Sequence, residues 1–294
     1  MGAMVDSMGR DSRLRHLPAG TRLEWRLAGS KLLARGIDDL VHRPRRWLHA
    51  LARDRNARID ARSLTNHERR VSSQNGEDGI IDEIFRRIGA TNRYAVEFGI
   101  GDGSECCTRR LFLEQGWGGL LIEGSEPWAR AAGHAFAGRG VQVVHSFITL
   151  DSILGIFADA AVPRDLDLLV VDIDGNDYWI LARILSAYRP RAFVVEYNGR
   201  WVPPIEWVMP YDARHNWDGT VYFGASLASF AKLAGAHSYS LVGCDRNGVN
   251  AFFVRDDLLG AHFPRASEGA AAHYVPPSYG RGFGHPVRLR TPGA

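Results

Sequence analysis

Two stretches of this chain carry carboxylates at spacings that could hold a cation. Val171-Asp172-Ile173-Asp174-Gly175-Asn176-Asp177 follows an apolar run, and Glu196 ends another, Ala192 to Tyr197. Oxygen ligands from Asp172, Asp174 and Glu196 suit a hard divalent cation such as magnesium. A cation held there would bind adjacent hydroxyls of a substrate and ease deprotonation of one of them, which makes Asp172 and Glu196 catalytic candidates. Two plainer readings stay open. Asp174-Gly175-Asn176-Asp177 could simply turn the chain and cap a helix, or the acids could accept hydrogen bonds from substrate directly. His215 is the general-base candidate, because imidazole titrates near neutrality. Asn198, Trp201, Tyr211 and Trp217 are the substrate-contact candidates. Aromatic faces stack on sugar rings, and a hydrophobic lid clamp is the alternative.

A second constellation is glycine-rich. Val96-Glu97-Phe98-Gly99-Ile100-Gly101-Asp102-Gly103 ends a short apolar run. Glycines there let backbone approach a ligand. A dinucleotide site needs G-x-G-x-x-G, but the spacing is G-x-G-x-G, with Ser104 where the third glycine belongs. Glu97 sits poorly beside a pyrophosphate and suits a cofactor bearing an ammonium group. Glu123, closing the next apolar run, can accept both hydroxyls of a ribose.

These residues need a scaffold that brings them together, and the periodicity supplies one. From residue 71 onward, apolar runs alternate with helical patterns. Strands are predicted at Tyr94 to Phe98, Gly119 to Ile122, Val141 to Val144, Leu166 to Ile173 and Ala192 to Tyr197. Helices are predicted from Ile80, at Ser104 to Gln115, Pro127 to Ala137, Asp151 to Ala158 and Asp177 to Tyr188. Such alternation argues a parallel sheet covered by helices on both faces, with all strand ends of interest at one edge. Gly199 to Thr220 is long and rich in Pro and Trp, the length of a lid or binding loop. A helix (Gly224 to Leu233) and two strands (Tyr239 to Val242, Asn250 to Val254) follow, and the tight turn between these strands makes them antiparallel.

Taken in order, the blocks resemble class I S-adenosylmethionine-dependent methyltransferases, and more closely the FkbM-like ones. The carriers are Gln74-Asn75-Gly76-Glu77-Asp78-Gly79, the Glu97 to Gly103 turn, Gly116 to Gly124, Asp172 to Asp177 and Glu196-Tyr197-Asn198. The resemblance implies a Rossmann-like seven-stranded sheet with an antiparallel last strand, and S-adenosylmethionine as cofactor. It implies Glu97, Gly99, Gly101 and Gly103 near the methionine part, Glu123 on the ribose, Asp172 beside the cofactor, and Gln74, Glu77 and Asp78 over the pocket. The alternative for the last segment is a capping arrangement of Asn75 with Asp78. Sugar O-methyltransferases of related fold resemble the acid pattern too, with a metal held after strands four and five. The implied reaction is methyl transfer to a hydroxyl of a sugar, glycoside or glycolipid. One departure stands out: Cys106-Cys107 occupies a place where polar residues, often Asn, are expected.

Composition sets the remaining bounds. The 294 residues are 45% hydrophobic and 23% charged, as in soluble globular proteins. The net charge of +3 conceals a split: residues 1–70 hold sixteen basic and eight acidic side chains, leaving twenty against twenty-five in 71–294. Residues 1–62 read as a basic helical extension, 63–264 as the methyltransferase domain and 265–294 as an irregular tail. The extension is either an arm for an anionic membrane or a helical addition that packs on the domain or a second subunit, so a homo-oligomer is left open. Three cysteines without metal-ligand spacing and no signal-like N-terminus point to the cytoplasm. Nucleic acid is not expected as partner, since an acidic edge would repel phosphates. A nicotinamide-dependent oxidoreductase of the short-chain type needs Tyr-x-x-x-Lys, but Leu27 and Ala228 precede the only lysines, Lys31 and Lys232. A non-catalytic cofactor-binding scaffold is the other alternative, against which the acids at the strand ends speak.

Because the predicted sheet is complete without residues 1–62, a chain beginning at Ser63 is expected to remain soluble and to unfold cooperatively in urea. Aggregation of that chain would make the extension part of the core or of a subunit interface.

Overall fold

The computed structural model describes residues 63–263 and 265–278. The basic extension 1–62 and the end of the tail, 279–294, lie outside the described residues, so the expectations placed on them are not addressed by the fold. Strands β1 (Tyr94–Phe98), β2 (Gly118–Glu123), β3 (Val141–His145), β4 (Leu168–Val171) and β5 (Ala192–Glu196) run parallel. With β6 (Tyr239–Cys244) and β7 (Asn250–Arg255) they form one seven-stranded sheet in the order β3-β2-β1-β4-β5-β7-β6. β7 is antiparallel to β6, as the hairpin signal predicted, and it is antiparallel to β5 as well.

The central strands are apolar up to the acids near their carboxyl ends because both of their faces are covered. Alternate side chains separate the core into two layers. Val96, Phe98, Leu169, Val171, Phe193 and Val195 face one side. Helices α4 (Ile153–Asp159), α5 (Asp177–Leu185) and α6 (Leu227–Ala236) supply buried partners to that layer. Ala95, Leu168, Val170, Val194, Phe252 and Val254 face the other side, where α1 (Glu77–Ile88) and α2 (Arg109–Glu114) pack. Helix α3 (Glu126–Ala135) follows β2, with Ala132 buried in the same layer as Leu121.

Two segments depart from the sequence expectation. The helix expected from Ser104 begins only at Arg109. Asp102 takes the Ser104 N–H (2.9 Å) and hydroxyl (2.6 Å) in a local turn, and Glu97 claims the next free N–H groups, so the backbone has better partners than a helix offers. The other departure is residues 265–278, expected to be irregular, which contain a 3-10 turn (Ala266–Glu268) and the one-turn helix α7 (Ala270–His273). Tyr274 is 1% exposed in the core layer of Phe193. Its hydroxyl donates to the Gly199 carbonyl at 2.5 Å, and the Tyr197 hydroxyl donates to the Val275 carbonyl at 2.7 Å. The tail thus clamps the chain where it leaves β5. Tyr274→Ala is expected to cost about 3–5 kcal/mol in urea unfolding and Tyr274→Phe about 1 kcal/mol, the loss of a packed ring against the loss of one hydrogen bond.

Candidate functional site

The sheet delivers the ends of β1, β2, β4, β5 and β6, and the start of β7, to a single edge. An acid ends or follows each of the co-directed strands there: Glu97, Glu123, Asp172, Glu196 and Asp245. The exception is β3, which ends in His145.

In the glycine turn after β1, Gly99, Gly101 and Gly103 have φ of 74°, 57° and 76°, in the left-handed region. A Cβ on Gly99 would lie 1.7 Å from the Asp172 carbonyl oxygen, so β1 and β4 approach this closely only without a side chain. A Cβ on Gly101 would meet nothing within 4 Å, so the turn is open on that side. Glu123 steadies it: one carboxylate oxygen accepts the Gly101 N–H at 2.9 Å and the other the Ser125 N–H at 2.8 Å. Glu97 is buried, and its carboxylate accepts the Cys107 N–H (2.8 Å), the Thr108 N–H (2.8 Å) and the Thr108 hydroxyl (2.6 Å). Glu97, expected beside the methionine part of a cofactor, fastens the loop that leads into α2. Burial raises its pKa against the pull of those donors. Cys106 and Cys107 lie in the same loop, and burial, then the Glu97 charge, pushes both thiols up.

The segment before α1 behaves similarly. Asp78 gathers the N–H groups of Val71, Ser72 and Ser73 and the hydroxyls of both serines, at 2.6–3.0 Å. Glu77 accepts from the Asn75 backbone (2.8 Å) and side chain (3.1 Å) and from Asn250 at 2.8 Å. Both acids were expected over the cofactor pocket. Their carboxylates are occupied in shaping this loop and tying it to β7, while Gln74 is half-buried beside them. Asn250, which no motif singled out, makes that tie.

Carboxylate oxygens of Asp172, Asp174 and Glu196 come within 4.8 Å of one another. Glu196 is 2% exposed, and its buried Oε2 has no hydrogen-bond partner. Burial, then mutual repulsion, drives the Asp172 and Glu196 pKa values well above the carboxylate range. Asp177, by contrast, turns back to close the turn before α5, accepting the Ile173 and Gly175 N–H groups at 2.8 Å each. Its pKa is raised to about 6, first by burial.

His215 reaches the same turn. Its Nε2–H donates to the Asp174 carbonyl at 3.1 Å, and a Cβ on Gly175 would lie 2.1 Å from its ring. Of the substrate candidates, Trp201 stacks on Trp207 at 5.1 Å and 22°, and Tyr222, 50% exposed, meets the Trp207 ring edgewise at 5.7 Å. Trp207 belongs to the aromatic set of the long loop read from sequence, and Tyr222 extends that set. Trp217 donates its ring N–H to the Thr220 carbonyl at 2.7 Å, and the Tyr211 hydroxyl accepts the Leu150 N–H at 3.1 Å. Asn198, expected to touch substrate, is fully buried. Its amide donates to the Val221 and Phe223 carbonyls (2.9 and 3.0 Å) and its oxygen accepts the Arg200 N–H at 3.2 Å, so it anchors the long loop.

A sheet of this order, with β7 inserted antiparallel and a glycine turn at the end of β1, is the Rossmann-like methyltransferase fold. Among solved structures the chain is similar to an S-adenosylmethionine-dependent methyltransferase from Clostridium acetobutylicum, at 11% identity and TM-score 0.40 over 63% of this chain and 92% of that one. It is also similar to an O-methyltransferase from Bacillus cereus in complex with SAH, at 20% identity and TM-score 0.42 over 69% and 86%. No family model and no curated protein matches the sequence. No helix among the described residues is long and apolar enough to cross a membrane.

The buried acids make stability depend on pH. Asp245 accepts the Val249 and Asn250 N–H groups, yet burial and then the Glu77 charge raise its pKa to about 8. A carboxyl whose folded pKa lies above its unfolded one holds its proton longer in the folded state. Its contribution is full below the unfolded pKa and is lost as pH rises through the folded one. Urea unfolding in EDTA is therefore expected to show stability falling from about pH 4 to about pH 8, each such acid adding at most about 1.4 kcal/mol per pH unit. Asp245→Asn should flatten the upper part of that slope; an unchanged slope would place the proton elsewhere.

Proposed function

We propose that this chain is an S-adenosylmethionine-dependent O-methyltransferase acting on a hydroxyl of a sugar or glycoside, with a divalent cation held by Asp172, Asp174 and Glu196. The observation that carries this reading is the convergence of those carboxylates within 4.8 Å, with a buried Glu196 oxygen lacking any partner, at the sheet edge that also bears the glycine turn. Like charges this close and this buried call for a cation or for protons.

The residues present fit both groups. The open face of Gly101 leaves room for a ligand against the backbone, and Glu123 retains acceptor capacity for ribose hydroxyls beyond the two N–H groups it holds. Three carboxylates form an all-oxygen donor set, which suits magnesium or manganese. When bound, the cofactor supplies an electrophilic methyl group and the cation a Lewis acid. The chain itself would do the rest. The acids orient an acceptor through its adjacent oxygens, and His215, seated on the acid turn, takes the proton from the hydroxyl that attacks. Trp201, Trp207 and Tyr222 offer ring faces and edges to a sugar. Membrane contact and subunit pairing through residues 1–62 remain part of this reading as expectations.

The test is methyl transfer from labelled S-adenosylmethionine to a panel of sugars and glycosides. EDTA is expected to abolish turnover and magnesium or manganese to restore it. Glu196→Gln should lose turnover while calorimetry shows cofactor binding retained, and His215→Gln should lose turnover likewise. Glu123→Ala should weaken cofactor binding by ~1–3 kcal/mol, the cost of charge-assisted hydrogen bonds. Full activity after exhaustive chelation would remove the cation and leave the acids as direct acceptors for substrate.

A further inference from the structure

Asn176 occupies the N-cap position of α5, and Asn is a residue type that normally caps a helix with its side chain. Here the side chain makes no cap hydrogen bond. The turn before the helix is closed by Asp177, which accepts the Ile173 and Gly175 N–H groups. The Asn176 amide instead crosses to the long loop, donating to the Asp212 carbonyl at 2.8 Å and accepting the Asp212 N–H at 3.2 Å. An amide that pairs with both the N–H and the carbonyl of one residue fixes that residue's orientation as well as its position. The same Asp212 carbonyl accepts the His215 N–H at 3.0 Å, closing a tight turn. Asn176 is buried, so its side of this pairing is shielded from water.

The turn delivers the His215 ring onto Gly175, in space that any side chain at that position would fill. The neighbouring Asp174 is held at φ 55°, a left-handed conformation that Asp tolerates better than most residues. In that conformation its carbonyl receives the His215 Nε2–H while its carboxylate belongs to the acid group. A carbonyl can only accept, so Nε2 carries the proton, and the neutral ring has its lone pair on Nδ1.

We infer that Asn176 and Gly175 are positioning residues that seat His215 in a single tautomer, Nε2–H with Nδ1 as the basic nitrogen. The inference rests on the reading of His215 as general base for what that nitrogen does. Neither residue touches a reacting atom; both act through the imidazole.

Tautomers are read from the ring-nitrogen shifts of the full chain labelled with the heavy nitrogen isotope, at a pH where the ring is neutral. The His215 signals are those lost in His215→Gln. The expected result is an Nε2–H ring in the wild-type protein, with Asn176→Ala and Gly175→Ala each shifting it toward the exchanging mixture of free imidazole. Should Asn176→Ala fail to fold, Gly175→Ala still acts on the ring alone, since its methyl takes the ring's place. A wild-type ring protonated on Nδ1, a mixture already present in the wild type, or wild-type signals in both variants would overturn the proposal. A fixed Nε2–H tautomer together with undiminished turnover in His215→Gln would uphold the seat and end the base reading. A scrambled tautomer with turnover lost in His215→Gln would end the seat and leave the base.

Discussion

Repulsion between carboxylates at the carboxyl edge of the sheet is the constraint that organises this molecule. The parallel topology places Glu97, Glu123, Asp172 and Glu196 along one edge, and the β6–β7 hairpin adds Asp245 to it. Buried charge is costly unless hydrogen-bonded or paired. The chain answers with backbone N–H groups almost throughout. Glu97 holds the approach to α2, Glu123 joins two strand-end turns, Asp177 closes the turn after β4, and Asp245 closes the hairpin. Glu77 and Asp78 do the same for the loop before α1. Each of these acids turns a charge penalty into a fixed loop, and the loops wall the edge. Among the described buried acids the exception is the Glu196 Oε2 atom, which has no such donor. An orphaned acceptor of this kind, beside acids whose oxygens are otherwise met by donors, calls for an explanation, and the cation proposed above would provide one.

The sheet was legible because parallel strands buried on both faces are continuous apolar runs, and Leu168–Val171 and Ala192–Glu196 read as nothing else. The acids after them were legible for the same reason: a charge at the end of such a run must sit at the edge. What each acid does there was not. Asp78 and Glu97 look like ligand residues in the linear sequence, but their partners are N–H groups of loops whose paths depend on tertiary packing. The loop-anchoring role of Asn198 was not legible either, because the carbonyls it binds, Val221 and Phe223, come from the far end of the long loop. The start of α2 was missed because propensity rates Ser104 to Thr108 as acceptable helix, while Asp102 and Glu97 outbid the helix for their N–H groups. Residues 265–278 show the opposite error. Gly, Pro and Ala suggested irregular chain, whereas Tyr274 and Val275 find core positions that no local periodicity could reveal.

The long loop after β5 ties these themes together. Its length suggested a lid, yet it is docked along its course: Trp179 donates to the Met209 carbonyl at 2.8 Å, Gly224 donates to the Gly175 carbonyl at 3.0 Å, and Asn198 and Asn176 grip it from the strand ends. Apart from Trp179, on α5, these anchors emanate from the turns after β4 and β5, the same turns that carry the acids. Movement of the loop would therefore disturb the carboxylates, and a change in the charge of the carboxylates would be felt by the loop. Asp174 stands at the junction, its carbonyl bound to the loop histidine and its carboxylate in the acid group. One residue in a left-handed conformation thus gives the base candidate and the cation candidate a common mount. A general base and a Lewis acid can serve the same hydroxyl only if their separation is set by something stiffer than either side chain. The β4 turn, closed by Asp177 and covered by the loop, meets that requirement.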